Sequence, residues 1–344
     1  MRKFIWAMVG LVLVGLVTIA GDRYMTRWSG AGARNIDTPV EVEFPRGTRL
    51  ADLSRDLEAR GVISDARLFS LWVRLFRNYK TFQAGLYRFE GSVSPADIAT
   101  ALEKGDVWVP VVLQVTIPEG FTLRKIIDRL AANGVGSKRE LQRLSRHKSF
   151  LTRLGIKASG LEGYLYPATY RFSEMPDAET ALTRMVRTFR ENLPPRYEED
   201  LRRRGLTLRE GVIFASLIEA ETRYDDERSR ISEVIWRRLK RGEPIGIDAA
   251  IIHGIKDYDG DIKWKHLKDA KNPYNTRIHK GLPPGPIGSP SEKSMRAVLT
   301  PTKKGYHYYV LTSKGDGRHH FSKTLQEHNR YVRLLLRSPK SNSR

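Results

Sequence analysis

The amino-acid sequence predicts an α+β protein with an N-terminal apolar helix, a small α+β module and a C-terminal mixed α/β domain. Three observations support this class. Residues 4–20 carry no charge. From residue 39 onward, runs that alternate apolar and polar residues are interspersed with runs of helical periodicity. A charged stretch with a Pro-Pro pair, at 187–206, separates the last part of the chain from the rest. The 344 residues are enough for two or three domains.

The N-terminal segment has the composition of a membrane-spanning helix. Two cations precede the uncharged run, Asp22 and Arg23 follow it, and about 20 apolar residues suffice to cross a bilayer. The leading cations predict that the N-terminus stays in the cytoplasm. We therefore predict an uncleaved transmembrane anchor at 1–24 and a polar tether at 25–38, with the body outside the cytoplasm. The alternative is a cleaved signal peptide, which places the body in the same compartment.

Residues 39–110 are predicted to form a small α+β module. A strand-like run opens it, two amphipathic helices follow, and a second strand leads into a helix at 94–106. A connecting α+β region, 111–205, begins with the same order of strand, Pro-x-Gly turn, threonine, helix and glycine. This similarity indicates a duplicated unit. The C-terminal domain is predicted over 206–340.

Composition excludes several classes of site. The chain has no cysteine, and therefore no thiol nucleophile, disulfide or cysteine-bound zinc. Its histidines show no ligand spacing, and the aspartates near 257–261 lack the glycine and glutamate positions of a calcium loop. The net charge of +21 favours anionic partners, but no nucleic-acid-binding motif accompanies it. We predict no metal, no cofactor and no nucleic-acid partner.

A helix over 207–222 carries the carboxylate that we select as the catalytic candidate. At about 100° per residue, Glu221 projects into the centre of an apolar face and Glu219 to nearly the opposite side. That face consists of Ile213, Phe214, Leu217 and Ile218. Burial raises the pKa of a carboxyl group, as a general acid near neutral pH requires. The alternative is that Glu221 pairs with Arg223 or Arg228 at the helix end, and periodicity alone does not decide between the two.

The segment 272–301 contains a Gly/Pro-rich core, at 281–290, that cannot form regular structure. Its tyrosine, asparagine and histidine side chains suit a saccharide cleft, because aromatic faces stack on sugar rings and amides bind hydroxyls. A structural crossover is the alternative, and composition alone slightly favours it. His319 and His320 fall in a strand-like run, which we assign to the edge of a cleft rather than to a metal site.

Several motifs resemble, in the same order, those of one enzyme family. They are AGLYRF (84–89), VTIPEG (115–120), LEGYLYPATY (161–170), ASLIEAET (215–222), YNT (274–276), GLPPGPI (281–287) and EHN (327–329). With the N-terminal segment, they make the chain similar to the YceG-like (MltG-type) endolytic murein transglycosylases over almost its whole length. The resemblance implies a LysM-like module within 39–110 and a catalytic domain at 206–340. It also implies an inner-membrane enzyme that faces the periplasm, cleaves nascent glycan strands internally and so terminates their elongation.

The resemblance further implies roles for individual residues. The catalytic residue of the family motif is the second glutamate of E-x-E-T, which is Glu221 in this sequence. The family has Asp-Pro where this chain has Asp248-Ala249, so the assignment of Asp248 depends on the aspartate alone. The substrate-binding residues that we predict are Tyr164, Asp248, Tyr274, Asn275 and His319.

The implied reaction is cleavage of the β-1,4 bond between MurNAc and GlcNAc. Ordinary glycosidases use two carboxylates. In this reaction the C6 hydroxyl of MurNAc replaces water, so one residue can protonate the leaving oxygen and then accept the hydroxyl proton, which leaves a 1,6-anhydro end. The expected partners are glycan strands, the inner membrane and peptidoglycan synthases. Three alternatives stay open: a non-catalytic, membrane-tethered peptidoglycan-binding protein, a membrane-tethered nucleic-acid binder, and a hydrolase acting on the same strands.

Overall fold

The computed structural model describes residues 19–30 and 32–337. The chain divides into two compact units, Met1–Pro110 and Val111–Arg344. Both contain helices and short antiparallel strand pairs, so the predicted α+β class is confirmed. Among the described residues, no helix is both long enough and apolar enough to cross a membrane. The predicted anchor falls mainly on residues 1–18, which lie outside the described part.

The N-terminal unit is built on one antiparallel strand pair and the helices that pack on it. Strand β1 (Arg34–Phe44) pairs with β2 (Gly85–Val93). The helices are α1 (Leu50–Ala59), α2 (Ala66–Phe76), a 3-10 turn (Tyr79–Thr81) and α3 (Pro95–Lys104). Ser94 caps α3 in a reciprocal capping box with Asp97, and Pro95 occupies the first helical position. Alternate strand residues and the inward helix faces share one core, which includes Val42, Leu57, Phe69, Tyr87 and Ile98.

The segment predicted as a tether is part of this unit. Residues 19–30 are helical, and residues 34–38 already belong to β1. Met25 and Trp28 pack against the core, and the Trp28 ring meets the Trp72 ring edge-on, with centroids 6.4 Å apart. The segment is therefore not a free tether. The prediction considered only the polar composition of the segment. Its two apolar side chains, Met25 and Trp28, lie three residues apart on one helix face and pack the segment against the core.

The C-terminal unit contains two further antiparallel pairs. Strand β3 (Leu113–Thr116) pairs with β4 (Thr169–Phe172), and β5 (Tyr308–Leu311) pairs with β6 (His319–Ser322). The helices are α4 (Leu123–Ala132), α5 (Lys138–Leu144), α6 (Lys148–Arg153), α7 (Ala178–Glu191), α8 (Tyr197–Arg203), α9 (Leu208–Glu221), α10 (Asp225–Arg241), α11 (Asp248–His253), α12 (Trp264–Leu267), α13 (Glu292–Leu299) and α14 (Leu325–Leu336). One hydrophobic core takes residues from both sides of position 206, so the predicted connecting region and the predicted catalytic domain pack as one body.

The two units share an order of elements. Strand, helix, helix, strand and helix follow one another in β1-α1-α2-β2-α3 and in β3-α4-α5-β4-α7, where α6 is an addition. Tyr87 in β2 and Tyr170 in β4 each begin a Tyr-Arg-Phe run, and each hydroxyl donates to the backbone oxygen four residues earlier at 2.6 Å. The first helix of each series is followed by a glycine of positive φ, Gly61 or Gly134. These details agree with the duplicated unit that the sequence indicates.

The Gly/Pro-rich core at 281–290 has no regular structure, as predicted, but most of its residues are buried. Other segments pair its backbone: Ile287 N donates to Ser216 Oγ at 3.1 Å, and Ser289 O accepts from Gly120 N at 2.8 Å. Buried backbone groups need such partners. The loop therefore packs against α9 as a layer of the C-terminal unit.

Candidate active site

Helix α9 supplies both glutamates of the E-x-E-T motif at its C-terminal end. It begins with the predicted capping box, in which Thr207 and Glu210 bond reciprocally. All side chains from 211 to 218 are buried, including Val212 and Ser216 on the side opposite the predicted apolar face. The helix is thus buried on all sides over these two turns. The apolar face predicted by the helical projection is only part of its buried surface.

Glu219 is one half of a buried ion pair. Its Oε1 lies 3.1 Å from Arg228 Nη1, and the two side chains are 6% and 4% exposed. Its Oε2 accepts hydrogen bonds from the backbone NH and the hydroxyl of Ser291, which caps α13. Glu219 therefore joins α9, α10 and α13, which is a structural role.

Glu221 has different surroundings. The Tyr309 hydroxyl, from β5, donates a hydrogen bond to Glu221 Oε2 at 2.9 Å. Burial raises the pKa of the Glu221 carboxyl above its ordinary value. The Tyr309 hydrogen bond and His319 oppose this increase, and the charge of Asp248 adds to it. Because a raised pKa favours the protonated form, the carboxyl is suited to donate a proton near neutral pH.

The predicted alternative partners of Glu221 bond elsewhere. Arg223 donates to the backbone oxygen of Asp316 at 2.9 Å, and Arg228 belongs to the Glu219 pair. Burial, and then the charge of Glu221, raise the pKa of the Tyr309 hydroxyl well above its ordinary value. The hydroxyl of Tyr309 therefore remains a hydrogen-bond donor toward the Glu221 carboxylate. The alternative that Glu221 pairs with Arg223 or Arg228 is wrong, because both arginines bond to other groups.

A series of contacts links Thr222, through Glu227 and His319, to the ring of Tyr309. The Thr222 hydroxyl donates to Glu227 Oε2 at 3.1 Å. The same oxygen lies 2.8 Å from His319 Nδ1, and Glu227 Oε1 accepts the His319 backbone NH at 2.9 Å. The His319 ring then meets the Tyr309 ring edge-on, with centroids 5.3 Å apart. His319, predicted to bind substrate, thus lies against the tyrosine that bonds to Glu221.

Asp248 opens α11 and forms a two-point ion pair with Arg277. Nε and Nη2 of the guanidinium lie 2.7 and 3.0 Å from the two carboxylate oxygens. The Asp248 hydrogen bond raises the pKa of Arg277. The structure therefore brings Asp248 to the Glu221 site, with its carboxylate already engaged by an arginine.

A cavity of about 590 Å³ opens at the end of α9. Burial, and then the charge of Glu219, raise the pKa of Glu119, a second carboxyl group in its wall that belongs to the VTIPEG motif. Two glycines of the β5–β6 connection leave part of the wall without side chains. The lining includes Glu119, Glu219, Glu221, Thr222, Gly315 and Gly317. Within the described residues, no three acidic or histidine side chains are grouped as a metal site would need.

The two predicted tyrosines lie away from this cavity. Tyr164 is 3% exposed and packs edge-on against Phe189 in the core. Tyr274 is partly exposed beside His253, with ring centroids 4.9 Å apart. Burial, and then the charge of Glu162, raise the pKa of Tyr274, so its acidic neighbour is not Glu221. Neither tyrosine contacts the Glu221 carboxyl in the part of the chain that the structure describes.

Asn275 is fully buried, and its side chain hydrogen-bonds to backbone groups. Its Nδ2 donates to three backbone oxygens and its Oδ1 accepts the NH of Arg277 at 3.2 Å. The three oxygens belong to His266, Leu267 and Asp269. The amide is therefore occupied within the protein rather than available to a sugar, and it holds the turn that presents Arg277 to Asp248.

Three residues of the site were not found from the sequence: Tyr309, Glu227 and Arg277. Tyr309 lies in a strand-like run with other tyrosines, and the sequence carries no sign of which one turns toward α9. Glu227 stands in a strongly charged helix, where it looks like a surface acid. Arg277 was overlooked although it directly follows the YNT motif. A search for basic residues near the motifs, as partners of each candidate carboxylate, could have found it.

The fold and the site define an α+β protein with a desolvated carboxylic acid at the end of a buried helix, hydrogen-bonded by a tyrosine. A carboxyl group with a raised pKa is suited to general acid–base chemistry. The chain belongs to the YceG-like family, whose sequence profile matches residues 42–334.

Two curated relatives are named endolytic murein transglycosylase. The protein of Streptococcus pneumoniae serotype 2 (strain D39) is 28% identical over 85% of this chain and 58% of its own length. The protein of Bacillus subtilis (strain 168) is also 28% identical, over 85% of this chain and 84% of its own length. A 2.6 Å crystal structure of a YceG-like protein from Listeria monocytogenes has a TM-score of 0.58 and 30% identity, and covers 85% of this chain and 98% of that chain. This chain thus spans 58% of the length of the pneumococcal relative.

Proposed function

We propose that this protein is an endolytic peptidoglycan lytic transglycosylase with Glu221 as its acid and base. The observation that carries the proposal is the hydrogen bond from Tyr309 to the Glu221 carboxyl, whose pKa is raised by burial, on a residue that lines a cavity. The names of the relatives support the same reaction and substrate class.

In this reaction the Glu221 carboxyl gives its proton to O4 of GlcNAc as the bond from C1 of MurNAc to that oxygen breaks. The C6 hydroxyl of the same MurNAc then bonds to C1, and its proton returns to Glu221. The product end is a 1,6-anhydro-MurNAc, and the carboxyl is regenerated without water. Tyr309 holds the carboxylate oriented between the two proton transfers, because its own pKa keeps it protonated.

The proposal includes the cellular setting. Residues 4–20 are uncharged and, as a single span with the N-terminus in the cytoplasm, would hold the enzyme at the inner membrane with its body in the periplasm. There it would cleave nascent glycan strands and end their elongation, and it would work beside peptidoglycan synthases. A LysM-like glycan-binding role for 39–110 belongs to the same proposal.

The test is the action of the full-length protein, in detergent, on uncrosslinked glycan strands, with products identified by mass spectrometry. We expect internal fragments with 1,6-anhydro ends from the wild type and none from Glu221→Gln. Glutamine keeps the shape of the side chain and an oxygen that can accept from Tyr309, so the variant should remain folded.

Each other outcome has a definite meaning. Reducing ends would make the protein a hydrolase, and Glu119 would be the carboxyl group to substitute next, because it lines the same cavity. Binding of strands without cleavage by either protein would favour the non-catalytic, membrane-tethered peptidoglycan-binding alternative. Cleavage by Glu221→Gln at the wild-type rate would refute the assignment of the residue.

A further inference from the structure

Helix α2 exposes an apolar stripe although its other face is buried. Phe69, Trp72 and Val73 point into the core of the N-terminal unit. Leu71 and Leu75, four residues apart, are 47% and 63% exposed. Phe76, at the end of the helix, is also exposed, and Leu68 is half-buried on the same side as Leu75. Side chains at such spacings form a continuous surface along a helix.

Cations flank this stripe. Arg67 and Arg74 are exposed and, at about 100° per residue, project next to Leu71. Leucines bordered by arginines are typical of helices that lie in the headgroup region of an anionic bilayer, where the apolar groups enter the acyl boundary and the guanidinium groups meet phosphate.

The helix at residues 19–30 connects the predicted membrane span to α2, which carries this stripe. The helix at 19–30 begins with the last two residues of the uncharged run at 4–20, and Trp28 of this helix contacts Trp72 of α2. At 1.5 Å per residue, Trp28 lies about 12 Å along a helix from residue 20. Leu75 is three residues from Trp72 and therefore adjacent to it on α2. If residues 4–20 span a membrane at a tilt, this neighbourhood would lie near its surface.

The chemistry of the patch favours lipid over other partners. Three or four side chains are far fewer than the 20 to 30 residues a side, or roughly 800 Å² per partner, of a specific protein interface, so a second copy of the chain is a poor occupant. Sugar sites use aromatic faces and amides, and aliphatic leucines offer neither. Exposed Tyr24 and half-buried Trp28 on the N-terminal helix add the aromatic residues that are enriched at membrane interfaces.

We propose that α2 is a membrane-contact helix, which inserts Leu71 and Leu75 into the surface of an anionic bilayer while Arg67 and Arg74 bind lipid phosphates. The inference rests on the membrane anchor of the proposed function. The N-terminal unit would then be held in one orientation on the membrane, not merely tethered to it.

The absence of native cysteine allows a direct test. Full-length protein with the single substitution Leu75→Cys carries a spin label in nanodiscs of phosphatidylglycerol and phosphatidylcholine. Oxygen, which partitions into lipid, and a water-soluble nickel complex report its surroundings. Ser92→Cys, at an exposed position in β2, is the matched control, and Val12→Cys reports the anchor itself.

We expect the oxygen-to-nickel accessibility ratio at position 75 to be several-fold higher than at position 92. The excess should be lost in neutral nanodiscs or in the Arg67→Ser/Arg74→Ser background. Equal ratios at 75 and 92, with position 12 inside the bilayer, would overturn the inference and leave the anchor intact. Position 12 outside the bilayer would overturn both. Protection of position 75 from both reagents, in detergent as well as in nanodiscs, would indicate a protein contact and also overturn it.

Discussion

The two glutamates of the E-x-E-T motif should respond oppositely to the same substitution. Glu219→Gln removes the charge that neutralises Arg228, whose side chain is 4% exposed. The remaining acidic partner of Arg228 is Asp225, whose side chain is 58% exposed and 3.3 Å away. Breaking a buried ion pair on one side costs about 3–5 kcal/mol, because the other charge stays buried without compensation. We expect that loss in the free energy of unfolding of the C-terminal unit.

For a unit of this size each kcal/mol lowers the melting temperature by about 2–4 °C, so Glu219→Gln should melt roughly 6–20 °C below the wild type. Glu221→Gln replaces a desolvated acid by an isosteric neutral amide, so it should change stability by less than about 1 kcal/mol while it abolishes cleavage. Differential scanning calorimetry of both variants, with cleavage of glycan strands measured in parallel, makes the comparison. A melting temperature within about 2 °C of the wild type for Glu219→Gln would refute the structural role of that pair. The double variant Glu219→Leu/Arg228→Met should recover most of the loss, because it leaves no buried charge.

Three further outcomes follow from the site and its support. Tyr309→Phe removes a hydrogen bond that lowers the pKa of Glu221, so the alkaline limb of the pH–rate profile should move to higher pH, while cleavage falls less than in Glu221→Gln. An unchanged limb would contradict the contact. Burial raises the pKa of Glu162 from 4.5 to about 7. Because the pKa in the folded state is above that in the unfolded state, the contribution of Glu162 to stability is complete below the unfolded pKa. That contribution is lost as the pH rises through about 7. Denaturant titrations should therefore show that Glu162→Gln gains stability relative to the wild type over that range, and a constant difference would argue against the shift. Asn275→Ala removes the side-chain donor from the backbone oxygens of Leu267 and Asp269, and from that of His266, which also accepts from the Asp269 NH. It should cost about 2–3 kcal/mol of unfolding free energy in the same titrations, whereas replacing an exposed, sugar-binding asparagine would change stability little.

The sequence predicted the fold class well because local signals agreed with the packing. The capping box at Thr207 starts α9 where expected, and the Gly/Pro core at 281–290 stays irregular. The tether was misjudged because Met25 and Trp28 are apolar residues in a polar stretch, and only the core of the N-terminal unit reveals what they contact. The composition of a segment does not show whether it packs against the rest of the protein, because packing also depends on the surface that the segment contacts.

The site was predicted unevenly for a similar reason. Glu221 was selected by helical projection and motif, and burial raises its pKa in the direction that the reasoning expected. The projection nevertheless assumed a single apolar face, and α9 is buried all round between 211 and 218. Asn275 and Tyr164 were chosen because their chemistry suits sugars, but the same chemistry also suits a buried loop and a core. The amino-acid type does not show whether a polar group faces a ligand or the backbone.

The Tyr309 contact spans 88 residues of chain, and this separation has a consequence for when the site forms during synthesis. In the order of synthesis, α9 with Glu221 comes well before β5 and β6. A chain that is interrupted before β5 therefore carries the glutamate without the hydroxyl that orients it. A chain that reaches β5 but not β6 lacks the histidine that packs behind that hydroxyl. The proposed cleavage activity would therefore begin only after β5 and β6 have been made.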